Sequence, residues 1–136
     1  MKTGEEEVAI FRLPRRWRIG IVAAPPLSAV PFLLVAPLLA VLLFGTMALF
    51  AALGLQFYTV QVRPDGVKLY GLWWLPWSDV NSATYRRVFG LPYFHVRRRR
   101  GFAWWIPLHF VGDRDLAQAL VGTAPPNHPF RSIAIP

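Results

Sequence analysis

The chain has 136 residues, 54% of them hydrophobic and 16% charged, enough for one compact domain of ordinary size and too apolar for a disordered binder. It contains no cysteine, which excludes disulfide scaffolds, thiol catalysis and thiolate metal sites together. Lys and Arg number 15 against 7 Asp and Glu, a formal charge of +8, and that balance favours an anionic partner.

Residues 1–17 read as a cytoplasmic lead, acidic at Glu5, Glu6 and Glu7 and basic at Arg12, Arg15 and Arg16. From Ile19 to Val62 there is no Lys, Arg, Asp, Glu or His. A bilayer core of about 30 Å takes roughly 20 apolar residues as helix, so this stretch is long enough for two crossings. The predicted unit is a transmembrane helical hairpin over 18–58, with helices at 18–36 and 38–58. Pro25, Pro26 and Pro31 fall in the first half and Pro37 at the turn. Arg12, Arg15, Arg16 and Arg18 precede the stretch and Arg63 and Lys68 follow it. Positive flanks on both sides favour an even number of crossings with both termini cytoplasmic. Trp17 and Tyr58 sit where interfacial anchors belong. The rival is one kinked helix with a proline-rich re-entrant lead. A cleaved signal peptide does not fit, because its apolar region runs only about 7–15 residues.

Residues 57–124 read as strands closed by a helix. Phe57 to Val62 leads into the turn Arg63-Pro64-Asp65-Gly66, and Val67 to Trp74 alternates as the returning strand. A third short element starts at Pro76 and a fourth at Thr84. Tyr93 to Arg98, the turn Arg99-Arg100-Gly101 and Phe102 to Leu108 make a second hairpin. A helix is expected from Asp113, as N-cap, to Val121, ended by Gly122. Residues 125–136 read as an irregular tail.

This order resembles the bacterial PH-like, YcxB-like group of small membrane proteins. The resemblance rests on the basic lead Leu13-Pro14-Arg15-Arg16 before the apolar hairpin and the turn Pro64-Asp65-Gly66. It also rests on Leu75-Pro76-Trp77-Ser78-Asp79-Val80, and on Trp105-Ile106-Pro107-Leu108 before the helix. It implies a seven-stranded PH-like bent sheet or barrel with a C-terminal helix, and no enzyme activity. The first turn holds only Arg63 and Lys68 around Asp65, unlike the basic loop of phosphoinositide-binding PH domains.

Arg97, Arg98, Arg99 and Arg100, supported by Arg86 and Arg87, are the candidate contacts to an anionic lipid surface or an acidic partner, each arginine near an acidic leaflet being worth about 1 kcal/mol. The pairs Trp73-Trp74 and Trp104-Trp105 should each put one indole inside and one outside. Trp74 and Trp105 join Trp17 and Tyr58 as interfacial aromatics. His95 and His109 could face each other across the second hairpin, but a metal site there would need Asp79, Asp113 or Asp115 as a third ligand, and none is expected. Asp79 reads as a turn or cap. No cofactor, no nucleic-acid motif and no defensible catalytic set is expected. Two readings result: a non-catalytic inner-membrane docking module, or an accessory subunit embedded in a larger energy-converting or transport complex.

Overall fold

The computed structural model describes residues 8–28, 30–112 and 114–136. The chain divides into two compact units, one of residues 13–58 and one formed by the segments on either side of it.

In the first unit, helix α1 runs Arg15–Ser28 and helix α2 runs Pro37–Phe57. α2 has 21 residues, about 32 Å of helix, and is apolar all round. Leu42, Phe50 and most of its neighbours are exposed, and only Ala40 is buried. Such a helix has no soluble surface of its own. Together with Arg15–Leu34, it is long and apolar enough to cross a membrane.

The first half departs from the expected single helix over 18–36. α1 has 14 residues, about 21 Å, and a 3-10 turn follows at Val30–Leu34. Pro25 and Pro26 remove two N–H donors from its last turn, and the helix stops shortly after them. Pro37 is not the turn between the helices but the first residue of α2, where its fixed φ suits a helix start. The reversal lies just before it, closed by the Ala36 N–H donating to the Phe32 carbonyl at 2.8 Å.

The second unit is built of two antiparallel sheets, β1-β2-β3-β4 and β5-β6-β7. β1 is Ala9–Arg12, β2 Thr59–Arg63, β3 Gly66–Leu69 and β4 Trp73–Pro76. β5 is Val80–Val88, β6 Leu91–Arg98 and β7 Trp104–Pro107. Helix α3, Leu116–Thr123, closes the order. The sequence pattern does not reveal β1. Its four residues are not a free lead: they pair with β2, Arg12 opposite Thr59 and Ala9 opposite Val62. The apolar hairpin is thus an insertion between two neighbouring strands, and its two ends leave the sheet side by side. An odd number of crossings would separate strands that are hydrogen-bonded to each other.

The expected strand Val67–Trp74 is broken in two. Tyr70 and Gly71 both have positive φ, 53° and 68°, and the Leu72 N–H closes the turn on the Leu69 carbonyl at 3.2 Å. Alternation carries no mark of such a turn except the glycine. The third and fourth short elements are a 3-10 turn, Trp77–Asp79, running straight into β5.

The core lies between the sheets and α3. Phe11, Val60, Leu69, Phe94, Ile106, Leu116 and Leu120 are all fully buried. Asp115, not Asp113, caps α3: its carboxylate accepts the N–H groups of Ala117 at 2.8 Å and Gln118 at 3.2 Å. Asp113 lies outside the described residues. The helix passes through Gly122 to Thr123, and Arg131 binds its last carbonyls, donating to Ala124 at 2.9 Å and Gly122 at 3.4 Å.

The C-terminal residues are structured rather than irregular. A 3-10 turn at Pro129–Ser132 buries Phe130, which stacks on Phe94 at 5.5 Å. His128 is buried beside it. Its Nδ1 accepts the Phe130 N–H at 3.2 Å, so its Nε2 carries the proton and donates to the Trp77 carbonyl at 3.1 Å. Burial holds this imidazole below the usual histidine range.

Candidate functional site

The arginine run falls at the end of β6 and in the turn to β7, where Gly101 takes a φ of 90°. The root of this tip is held by Asp79. Trp77, two residues earlier, is fixed by its indole N–H donating to the Pro64 carbonyl at 2.9 Å. Asp79 therefore emerges from a rigid turn. Its carboxylate accepts the Arg98 Nε–H at 2.6 Å and the Arg100 backbone N–H at 3.3 Å, and its carbonyl accepts the Arg99 N–H at 2.7 Å. The Arg98 guanidinium beside it holds the Asp79 carboxyl below its ordinary value.

Arg98 is consequently a structural side chain. Its guanidinium carbon sits 4.7 Å over the Trp104 ring, in cation–π contact as well as ion-paired. Arg97, Arg99 and Arg100 are exposed, and no ion pair with them forms among the described residues. Three guanidiniums are thus presented to the surroundings on a fixed root. Glu5, Glu6 and Glu7 lie outside the described residues.

Arg86 and Arg87 do not join that tip. In the β5–β6 register they stand opposite Tyr93 and Pro92, while Arg97 stands opposite Ser82. Four residues of strand separate Arg86 from Ser82, about 13 Å. Arg86 shares the outer face with Arg97. Arg87 points the other way, its Nε–H donating to the Tyr85 hydroxyl at 3.3 Å.

The tryptophan pairs depart from the expected one-in, one-out burial. The facing alternates as strands require: Trp73 is opposite buried Leu69 and Trp104 opposite buried Val96, so these two face inward. Trp74 and Trp105 face outward. Yet Trp73 is 56% exposed and Trp104 only half-buried. Both occupy strands at the edge of their sheets, where an inward face has no neighbouring strand to cover it. The two indoles cover each other instead, 5.6 Å apart, and with Trp74 they line a shallow groove. Leu72 and Phe102, in the two adjoining turns, are 72% and 90% exposed. No sequence pattern flags them beyond an apolar residue inside a turn.

Of the interfacial aromatics, Trp17 lies in the first turn of α1 and Tyr58 directly after α2. His95 and His109 do not face each other: Trp105 is opposite His95, with ring centroids 4.6 Å apart, and His109 packs on Tyr93 at 5.6 Å. No three metal-ligating side chains gather among the described residues.

Compared with family models, curated proteins and solved structures, the chain matches none.

Proposed function

We propose that the protein is a non-catalytic inner-membrane docking module of the PH-like kind, with its sheet unit in the cytoplasm. It binds a membrane-protein partner, and anionic lipid assists. The succession of four strands, three strands and a C-terminal helix supports the PH-like reading. The observation that carries the docking reading is the tip. Asp79 and Trp104 hold Arg98, while Arg97, Arg99 and Arg100, adjacent to it in the chain, are exposed. Like charges on neighbouring residues repel, and an acidic surface relieves that repulsion.

The test is limited trypsin cleavage of the full chain in liposomes, with the tip arginines as target. Acidic lipid should slow cleavage there several-fold relative to neutral lipid, and mild detergent extraction should yield a particle larger than the lone chain. Equal cleavage on both lipids together with a lone small particle would sink the reading.

The second reading, an accessory subunit within a larger energy-converting or transport complex, is favoured by one feature of the hairpin. A methyl group added at Gly20, Gly45 or Gly54 would meet nothing within 4 Å, so these helices keep open small-residue faces of the kind that other helices pack against. A defined multi-subunit stoichiometry after extraction would select it.

A further inference from the structure

We infer that the outer face of the three-stranded sheet is the surface that takes the partner, and that the partner presents an acidic segment to it. This rests on the docking reading above and extends it from the arginine tip, through the shared Arg97, along the face of the sheet. Along β6, Phe94 and Val96 are buried, so Tyr93, His95 and Arg97 face outward. Cross-strand pairing sets Arg86 beside Tyr93, and Trp105 beside His95. The face therefore joins two exposed guanidiniums, an imidazole and a 45% exposed indole. Trp, Tyr and Arg are the residues that dominate protein–protein hot spots.

The sign of the partner follows from the carboxylates. Among the described residues, Asp79 is committed to Arg98 and Asp115 to the start of α3, and Asp65 lies in the β2–β3 turn. None of these faces this sheet surface, so among the described residues its positive charge has no counterweight, and it complements acidic side chains. The spacing of the rows sets Arg86 and Arg97 about 13 Å apart along the strands. That suits a segment with carboxylates at that separation and an apolar residue between them to cover Trp105.

A nucleic acid fits less well. Stacking needs an open ring face, whereas the His95 ring lies tilted on Trp105 at 4.6 Å and Tyr93 meets it edge-on at 6.2 Å.

The experiment uses the full chain in neutral-lipid nanodiscs, with a short fluorescent poly-glutamate peptide as probe and an oligothymidylate as competitor. Arg86→Gln combined with Arg97→Gln should weaken peptide binding by about tenfold, as expected when two complementary charges are removed from an interface. Trp105→Ala should weaken it independently. Lys68→Gln combined with Arg114→Gln removes the same charge elsewhere and should change binding less than twofold. Equal loss from both double variants reduces the effect to net charge and overturns the inference. So does oligothymidylate displacing the peptide at lower concentration through the same arginines. Sizing of the extracted particle separates the two claims. If wild-type chain extracts as a large particle and Arg86→Gln with Arg97→Gln leaves both size and peptide binding unchanged, the surface is wrong and docking stands. If wild-type chain extracts alone and acidic lipid leaves tip cleavage unchanged, docking itself fails.

Discussion

Asp79 illustrates how much one side chain can organise that its neighbours in sequence do not announce. Read alone it is a turn residue; folded, it accepts from Arg98, Arg99 and Arg100 together. The run of four arginines was legible as a basic tip. That one of the four is pinned was not, because the pairing partner lies 19 positions away. Asp79→Asn should loosen the tip, read as faster tryptic cleavage at Arg99 in neutral lipid. Because the folded carboxyl titrates below its ordinary 3.8, its contribution is present above that value and is lost as pH falls through the lowered one. His128 has the same sign for a different reason. Its neutral ring is the one that accepts from Phe130, so charging it removes an acceptor inside the core. Stability from this contact is complete above the usual histidine pKa of about 6.5 and declines as pH drops through the depressed folded value. Tryptophan fluorescence in unfolding titrations at successive pH values should report that decline in wild type. His128→Ala should remove its share of the pH dependence, leaving that of His109, which burial also holds below the usual histidine range, and should cost about 1–3 kcal/mol, since it orphans a buried N–H and a buried carbonyl.

At the scale of elements, alternation located most strands correctly and failed where a turn has no length. Tyr70-Gly71 interrupts an unbroken pattern with two positive-φ residues, and the register of Val67 to Trp74 hides it. α1 was legible as apolar but not as short, because proline content alone does not say where a helix stops. β1 was the largest omission: four residues next to a basic segment carry too little periodicity to read as a strand. Its seat is tight. Arg12 and Val111 exchange both backbone hydrogen bonds at 2.8 Å. At Gly112 a Cβ would come within 2.6 Å of the Phe11 ring and 2.9 Å of the Ile10 carbonyl. Gly112→Ala should therefore push β1 away and destabilise the sheet unit by about 1–3 kcal/mol, the usual cost of overpacking. The urea midpoint of tryptophan fluorescence in micelles measures it.

For the molecule as a whole, the hairpin's bracketing by β1 and β2 fixes more than composition could. The charge rule suggested two crossings from flanking arginines, whereas strand pairing requires that both ends of the insertion share a side. Single cysteines at Thr3 and Ile135 should accordingly label from the same compartment in intact vesicles. Opposite labelling would contradict the β1–β2 register. The same arrangement sets an order on synthesis. β1 leaves the ribosome first, yet the strand it must pair with emerges only after the whole greasy insert has been made. In a membrane-inserted chain, the sheet would close only with both helices across the bilayer or neither. Insertion of one helix without the other would leave β1 without its mate and β2 with a bare edge. Placement of the two helices and closure of the sheet would in this way be one coupled event.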